Sequence, residues 1–252
     1  LEEPVGKVAD AIGESEVAPS FSLSIPLPPD VGIKDVAVVA ANGARLADRV
    51  KISKAVVSTG LLSSGAQVEV GADTRIGPIT SYGNVSLRDR ATVGSVLAAG
   101  NVLRGSSVTI NGTVTQSATL APPINVQWNV AIPGPNLGAV SLEPDSMKDI
   151  APGRYAGGSV KSRSTLTLHA GAYYFDDLTI EPQARLLLDD SAGPTLIYIG
   201  NSFTHRGTVA STTAGIPKLL IGLRGTGGVL IEAPFTGVVV APKASISLQA
   251  AT

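Results

Sequence analysis

Apolar residues along this chain come in short pulses that return at a fixed spacing. Gly83-Asn84-Val85-Ser86-Leu87 reappears 17 residues later as Gly100-Asn101-Val102-Leu103-Arg104. With that offset Val68, Val85 and Val102 form one column, and Ile76, Val93 and Ile110 a second. Ile79 and Val96 form a third, with Gly77 and Gly94 beside it. Each pulse is three to five residues with alternating or paired aliphatics, as in Val68-Glu69-Val70, and Gly, Asn, Asp and Ser between pulses supply the tight bends. Three short strands and three bends fill such a circuit at about 3.3 Å per strand residue. The pattern predicts an all-β solenoid, a parallel β-helix whose rungs lie about 4.8 Å apart and bury their inner faces by stacking.

The remainder of the chain is read against this repeat as a single β-helix domain, 1–252. Residues 1–47 form an N-terminal cap and lead-in strands. Val5, Val8, Ala9 and Ile12 share a helical face, Pro4 suits a first turn and Gly13 ends the helix, so the segment reads as a cap, with a frayed leader as the alternative. Residues 20–28 and 36–40 are the lead-in strands. Residues 48–120 are the regular rungs, although Arg104 and Thr113 break two columns. Residues 121–164 carry Pro122, Pro123, Pro133, Pro135, Pro144 and Pro152, too dense for ladder strands, and read as a lateral flap with a short helix near 145–150. In 165–252 the rungs lengthen, with Leu166/Leu168 and Leu186/Leu188 20 residues apart, before Val229/Ile246 and Ile231/Leu248 restore the spacing of 17. Thr252 follows a strand directly, so either the sequence continues or a further domain or subunit covers that end.

Composition narrows the classes. Of 252 residues 44% are hydrophobic and 15% charged, which suits a packed chain rather than a disordered one. A net charge of −1 without a basic cluster argues against nucleic acid as a partner. The longest apolar pulses, such as Val238-Val239-Val240-Ala241, are far shorter than the ~20 residues of a transmembrane helix. With no cysteine, disulfides, thiolate metal sites and cysteine nucleophiles are all excluded. No cofactor motif appears: Gly225-Thr226-Gly227-Gly228 lacks the spacing of a dinucleotide loop, and nothing gathers Asp73, Asp89 and Asp145 into a metal site.

Gly171-Ala172-Tyr173-Tyr174-Phe175-Asp176-Asp177-Leu178, Leu196-Ile197-Tyr198-Ile199-Gly200-Asn201 and Gly237-Val238-Val239-Val240-Ala241-Pro242-Lys243-Ala244 resemble β-helical modules of large exported and cell-surface bacterial proteins. Ala151-Pro152-Gly153-Arg154-Tyr155 fits the same pattern, and the likeness covers about 100 residues. It implies a right-handed parallel β-helix, export, and a place at or outside the cell envelope, secreted or on the outer membrane; it carries over no site residues. The architecture is also similar to that of pectate lyases and polygalacturonases.

A β-helix offers a flat sheet face suited to an extended polymer. In-register side chains on adjacent or alternate rungs match the ~5–5.5 Å or ~6.5–9.5 Å separation of glycosidase carboxyl pairs. Candidate acids are Asp176, Asp177, Asp189, Asp190 and Glu181, followed by Glu232. If Leu168 stacks on Leu188, His169 lies over Asp189 and can orient or titrate it. The competing reading makes the Asp pairs turn residues bonded to nearby backbone N–H groups, and His169 and His205 ordinary histidines. Trp128, Tyr155, Tyr173 and Tyr174 are candidate sugar platforms, against a purely packing role for these aromatics. Two functions follow. The first is a glycan-active protein binding an extended polysaccharide or cell-wall glycan, such as a β-glucan, and cleaving it with an Asp/Glu pair. The second is a non-catalytic structural or adhesive module. An ice-binding solenoid needs regular Thr-x-Thr columns, and Thr165/Thr167 with Thr113/Thr115 are too few.

Overall fold

The computed structural model describes residues 20–60, 66–132 and 134–249. They form a parallel β-solenoid of about 10 turns, with three strand-bearing faces around an apolar shaft. The proposed N-terminal helix lies outside the described residues. The columns read from the repeat are the columns of the fold. Val68 pairs with Val85 and Val85 with Val102, Ile76 with Val93 and Val93 with Ile110, and Ile79 with Val96. Leu168 stacks on Leu188, and Val229 on Ile246. Val96 then pairs with Val114 rather than Thr113, because the last rung is one residue longer. Arg104, opposite Leu87 on that same rung, is exposed, since no further rung closes over it.

The winding order is not the order of the sequence. The chain enters the stack midway, at Val36–Ala40, and builds rungs towards one end, which it reaches at Val114–Thr115. It then returns outside the shaft and resumes at the other end with Ala139–Leu142, Met147–Ile150 and Gly153–Tyr155. From there it coils back until Val238–Ala241 pairs with Val36–Ala40, Val239 opposite Val38, and Ile246–Leu248 pairs with Ala44–Leu46, Ser247 opposite Arg45. The strand Ile246–Leu248 is therefore covered by one of the first rungs of the same chain.

The return segment explains the Pro-rich interval. Ile124–Ala131 pairs antiparallel with Ser20–Leu27, and this ribbon lies over the outside of the first face, the one carrying Val36–Ala40, Ala55–Ser58, Leu219–Leu223 and Val238–Ala241. Leu23, Ile25, Leu27 and Val130 pack there on Val39, Val57, Tyr198 and Val240, while Val38, Val56, Ile197 and Val239 point into the shaft. Strands apolar on both sides, such as Val238–Ala241, are those the ribbon covers. Gly222 leaves room for this packing: a Cβ there would meet Leu23 at 3.0 Å and Tyr198 at 3.2 Å.

The lateral excursion is narrower than 121–164, since Ala139–Leu142 and Gly157–Val160 are paired rung strands. Pro144 and Pro152 sit at bends, where no ladder donor is needed. Residues 147–150, where a short helix was expected, are a strand paired with Thr165–His169. At the bends Asp73 and Asp145 hold positive φ, in keeping with the Asp-bearing turns of the repeat, and Arg49, Arg90 and Arg163 do so as well although they are not small residues. Arg90 grips Asp73 through two hydrogen bonds of 2.8 Å, and Arg163 grips Asp145 through two of 2.7 Å. These forked pairs staple neighbouring corners and help offset an unfavourable backbone conformation.

Candidate functional site

The second face is the side of the shaft carrying Met147–Ile150, Thr165–His169, Arg185–Asp189 and Thr208–Ser211. Three of its four in-register strands bring together the one polar cluster that sequence spacing foresaw, and extend it. His169 stands opposite Asp189 in the ladder, its Nδ1 3.1 Å from Asp189 Oδ2. Its Nε2 lies 2.7 Å from Oδ1 of Asp149, one rung to the other side. Asp149 was not among the expected residues, although Ile150 and Leu168 share a column, a pairing of two apolar residues 18 apart that could have placed it. Flanked by two carboxylates, His169 has its pKa raised, with the hydrogen bonds to Asp189 and then Asp149 as the main causes. Asp189 is lowered by Ser191 and His169, and its Oδ1 accepts the Ser191 hydroxyl at 2.7 Å.

The other candidate acids are held apart by different partners. Asp190 is fully buried; its Oδ1 accepts the hydroxyls of Ser211 at 2.6 Å and Thr213 at 2.7 Å, and its Oδ2 accepts Lys218 N–H at 3.0 Å. Those donors hold its pKa down to about 2. Asp177 accepts the Ser202 hydroxyl at 2.6 Å and its N–H at 3.1 Å, with Asn201 Nδ2 at 3.3 Å. Glu181 accepts Lys161 Nζ at 2.8 Å and the Ser162 N–H at 3.2 Å, and its pKa is lowered, chiefly by Lys161. Asp176 is half-buried beside Tyr174, whose pKa is raised first by burial and then by that carboxylate. Glu232 pairs with Arg206.

The aromatic residues serve packing. Tyr155 and Tyr173 lie inside the shaft, Tyr155 stacked on Phe175 at 5.3 Å and on Tyr173 at 6.5 Å. The Tyr173 hydroxyl accepts His169 N–H at 2.8 Å and faces the Ile150 and His169 carbonyls, pinning the corner that carries His169. Trp128 is on the ribbon, edge-on to Tyr198 at 5.6 Å, and Tyr174 packs into the same outer cluster. His205 is buried between Phe203 and Phe235, neither ring nitrogen forming a well-aligned hydrogen bond. Burial pushes its pKa down to about 4, against a smaller opposing effect of the Pro234 and Gly207 backbone.

Among the described residues no group of three or more His, Asp or Glu side chains is arranged to hold a metal, and no helix is long and apolar enough to cross a membrane. A cavity of about 460 Å³ lies at the seam where the rung of Val238–Ala241 meets that of Val36–Ala40; none of the candidate acids or aromatics lines it. Comparison with protein-family models, curated proteins and solved structures found no match.

Proposed function

We propose that the chain is a non-catalytic structural or adhesive β-helix module, exported to a bacterial surface, whose exposed ladders are built to hold a rod together and to be touched rather than to cleave. The observation carrying this reading is the engagement of the candidate acids. Asp177, Asp189, Asp190 and Glu181 each accept hydrogen bonds from side chains or backbone one rung away, the arrangement of a brace between coils. Hydrolysis of a glycoside needs one carboxyl group held protonated near neutral pH by an apolar or like-charged setting. Among the described residues, the carboxyl groups of Asp73, Asp145, Glu181, Asp189 and Asp190 are each shifted downward. The aromatic platforms are engaged too, since Tyr155 and Tyr173 are internal and Trp128 and Tyr174 lie in the ribbon cluster.

Binding of an extended glycan without cleavage is a second reading. The Asp149–His169–Asp189 string supports it, because it presents hydrogen-bonding groups on successive rungs of a flat face, with His169 42% and Asp149 60% exposed. Reducing-end release across a panel of polysaccharides tests the main proposal, with Asp189→Asn and Asp177→Asn alongside the unaltered protein. No release is expected from any of them. Turnover by the unaltered protein that disappears in either variant would make it a hydrolase. Affinity electrophoresis in the same glycans, with His169→Ala, tests the second reading.

A further inference from the structure

We propose that the seam cavity binds a small amphiphile with a short acyl chain and a single anionic head, a fatty carboxylate. The second face does not run unbroken along the rod. It divides into two four-stranded sheets, one ending at Thr208–Ser211 and the other beginning at Lys51–Ile52. Between them one rung crosses by the loop 232–237, which holds Pro234 and forms no strand. The next leaves the described residues at Gln249. Among the described residues no strand bridges the two sheets at this height.

The consequence shows in burial. Ile76 is 6% exposed, but its in-register neighbour Ile52 is half-buried; Leu46 is 1% exposed and Ile231 2%, but Leu248, stacked between them, is half-buried. The floor of the cavity is the seam pair Val38 and Val239, and Ile52, Ile231, Phe235 and Leu248 contribute to its walls. A volume of about 460 Å³ with an apolar wall is in the range of small-molecule sites.

Charge selects the head group. Arg49 and Lys51 line the same cavity and are exposed, and among the described residues no acidic side chain lines it. Neither cation forms an ion pair among the described residues. Asp73, whose carboxylate feels the Arg49 charge, is taken by Arg90, and Glu232 at the start of the loop is taken by Arg206. An acyl chain in the opening would cover the half-exposed aliphatics, and a carboxylate would meet two unpaired cations at its edge.

The test is isothermal titration of the full chain with decanoate, decanol and decyltrimethylammonium, each below its micellar concentration. Saturable one-to-one binding of decanoate is expected, with decanol about tenfold weaker and the cation weaker still. The double variant Arg49→Glu/Lys51→Glu should lose the preference for decanoate over decanol. Ala233→Trp, which fills the opening from the loop, should lose binding of both while keeping the thermal transition of the parent. Absence of saturable decanoate binding, equal affinity for the cationic amphiphile, or undiminished binding by folded Ala233→Trp would overturn the proposal. Binding that appears only after residues 250–252 are removed would also overturn it, by assigning the cavity to the chain's own tail.

Discussion

A disulfide across the seam probes the winding order directly. Arg45 and Ser247 are in-register partners on neighbouring parallel strands, Arg45 exposed and Ser247 half-buried, flanked by core residues Ala44, Leu46 and Ile246. Strands about 4.8 Å apart place their Cα atoms within the 4.4–6.8 Å that a disulfide spans. The chain has no cysteine of its own, so Arg45→Cys/Ser247→Cys creates a single pair. A crosslink closing a loop of about 200 residues removes on the order of 5 kcal/mol of unfolded-chain entropy. Side-chain separations on parallel neighbours are somewhat longer than the disulfide optimum, so about 2–4 kcal/mol is the expected net gain, or roughly 10 °C in Tm. Oxidation in dilute solution, non-reducing electrophoresis and thermal melts with and without reductant supply the readout. Ten turns wound in sequence order would put these two positions some 40 Å apart. Failure of the pair to close within one molecule, or closure that lowers the melting temperature, would refute the seam.

Three further outcomes follow from the packing. Val93, fully buried between Ile76 and Ile110, should lose ~1.5–3 kcal/mol of apolar burial on Val93→Asp, before the desolvation of the charge; Arg90→Ala, at an exposed corner with a surface pair to Asp73, should move the midpoint of a urea titration far less. Asp190→Ala strands the Lys218 N–H and two hydroxyls in a closed corner and should destabilise by about 1–3 kcal/mol, measured by the same titration. The two histidines tilt the pH profile in opposite directions. With its folded pKa raised, His169 contributes stability below its unfolded pKa of 6.5 that fades as pH rises through the folded value, so His169→Gln should flatten the alkaline side. With its pKa depressed to about 4, His205 costs stability as pH falls from 6.5 towards 4, so His205→Phe should remove that acid slope in melts between pH 4 and 8.

Much of this protein is legible in the order of its residues, and for a definite reason. In a parallel solenoid each inward position must match its neighbour one rung away, so the core is written as a period. Val68, Val85 and Val102, or Leu168 and Leu188, identify their partners without any knowledge of the fold. The same register places His169 over Asp189 from spacing alone. A period cannot say which end of one run of rungs meets which end of another. Val38 and Val239 are unremarkable valines in sequence, and only the closed shaft makes them neighbours. Nor can it say which outward residues are covered. Tyr198, Val240 and Val57 belong to a second core because an antiparallel ribbon, far away along the chain, lies on top of them. The fate of the candidate site was decided at that level as well. The acids and aromatics were visible as residue types, but their hydrogen-bonding partners sit about one rung away, and the side of the wall each ring faces depends on what packs against it. Spacing determines which residues stack, because stacking is local and repetitive. Topology, burial and the opening at the seam are set by how the completed runs dock, through contacts between residues some 200 positions apart.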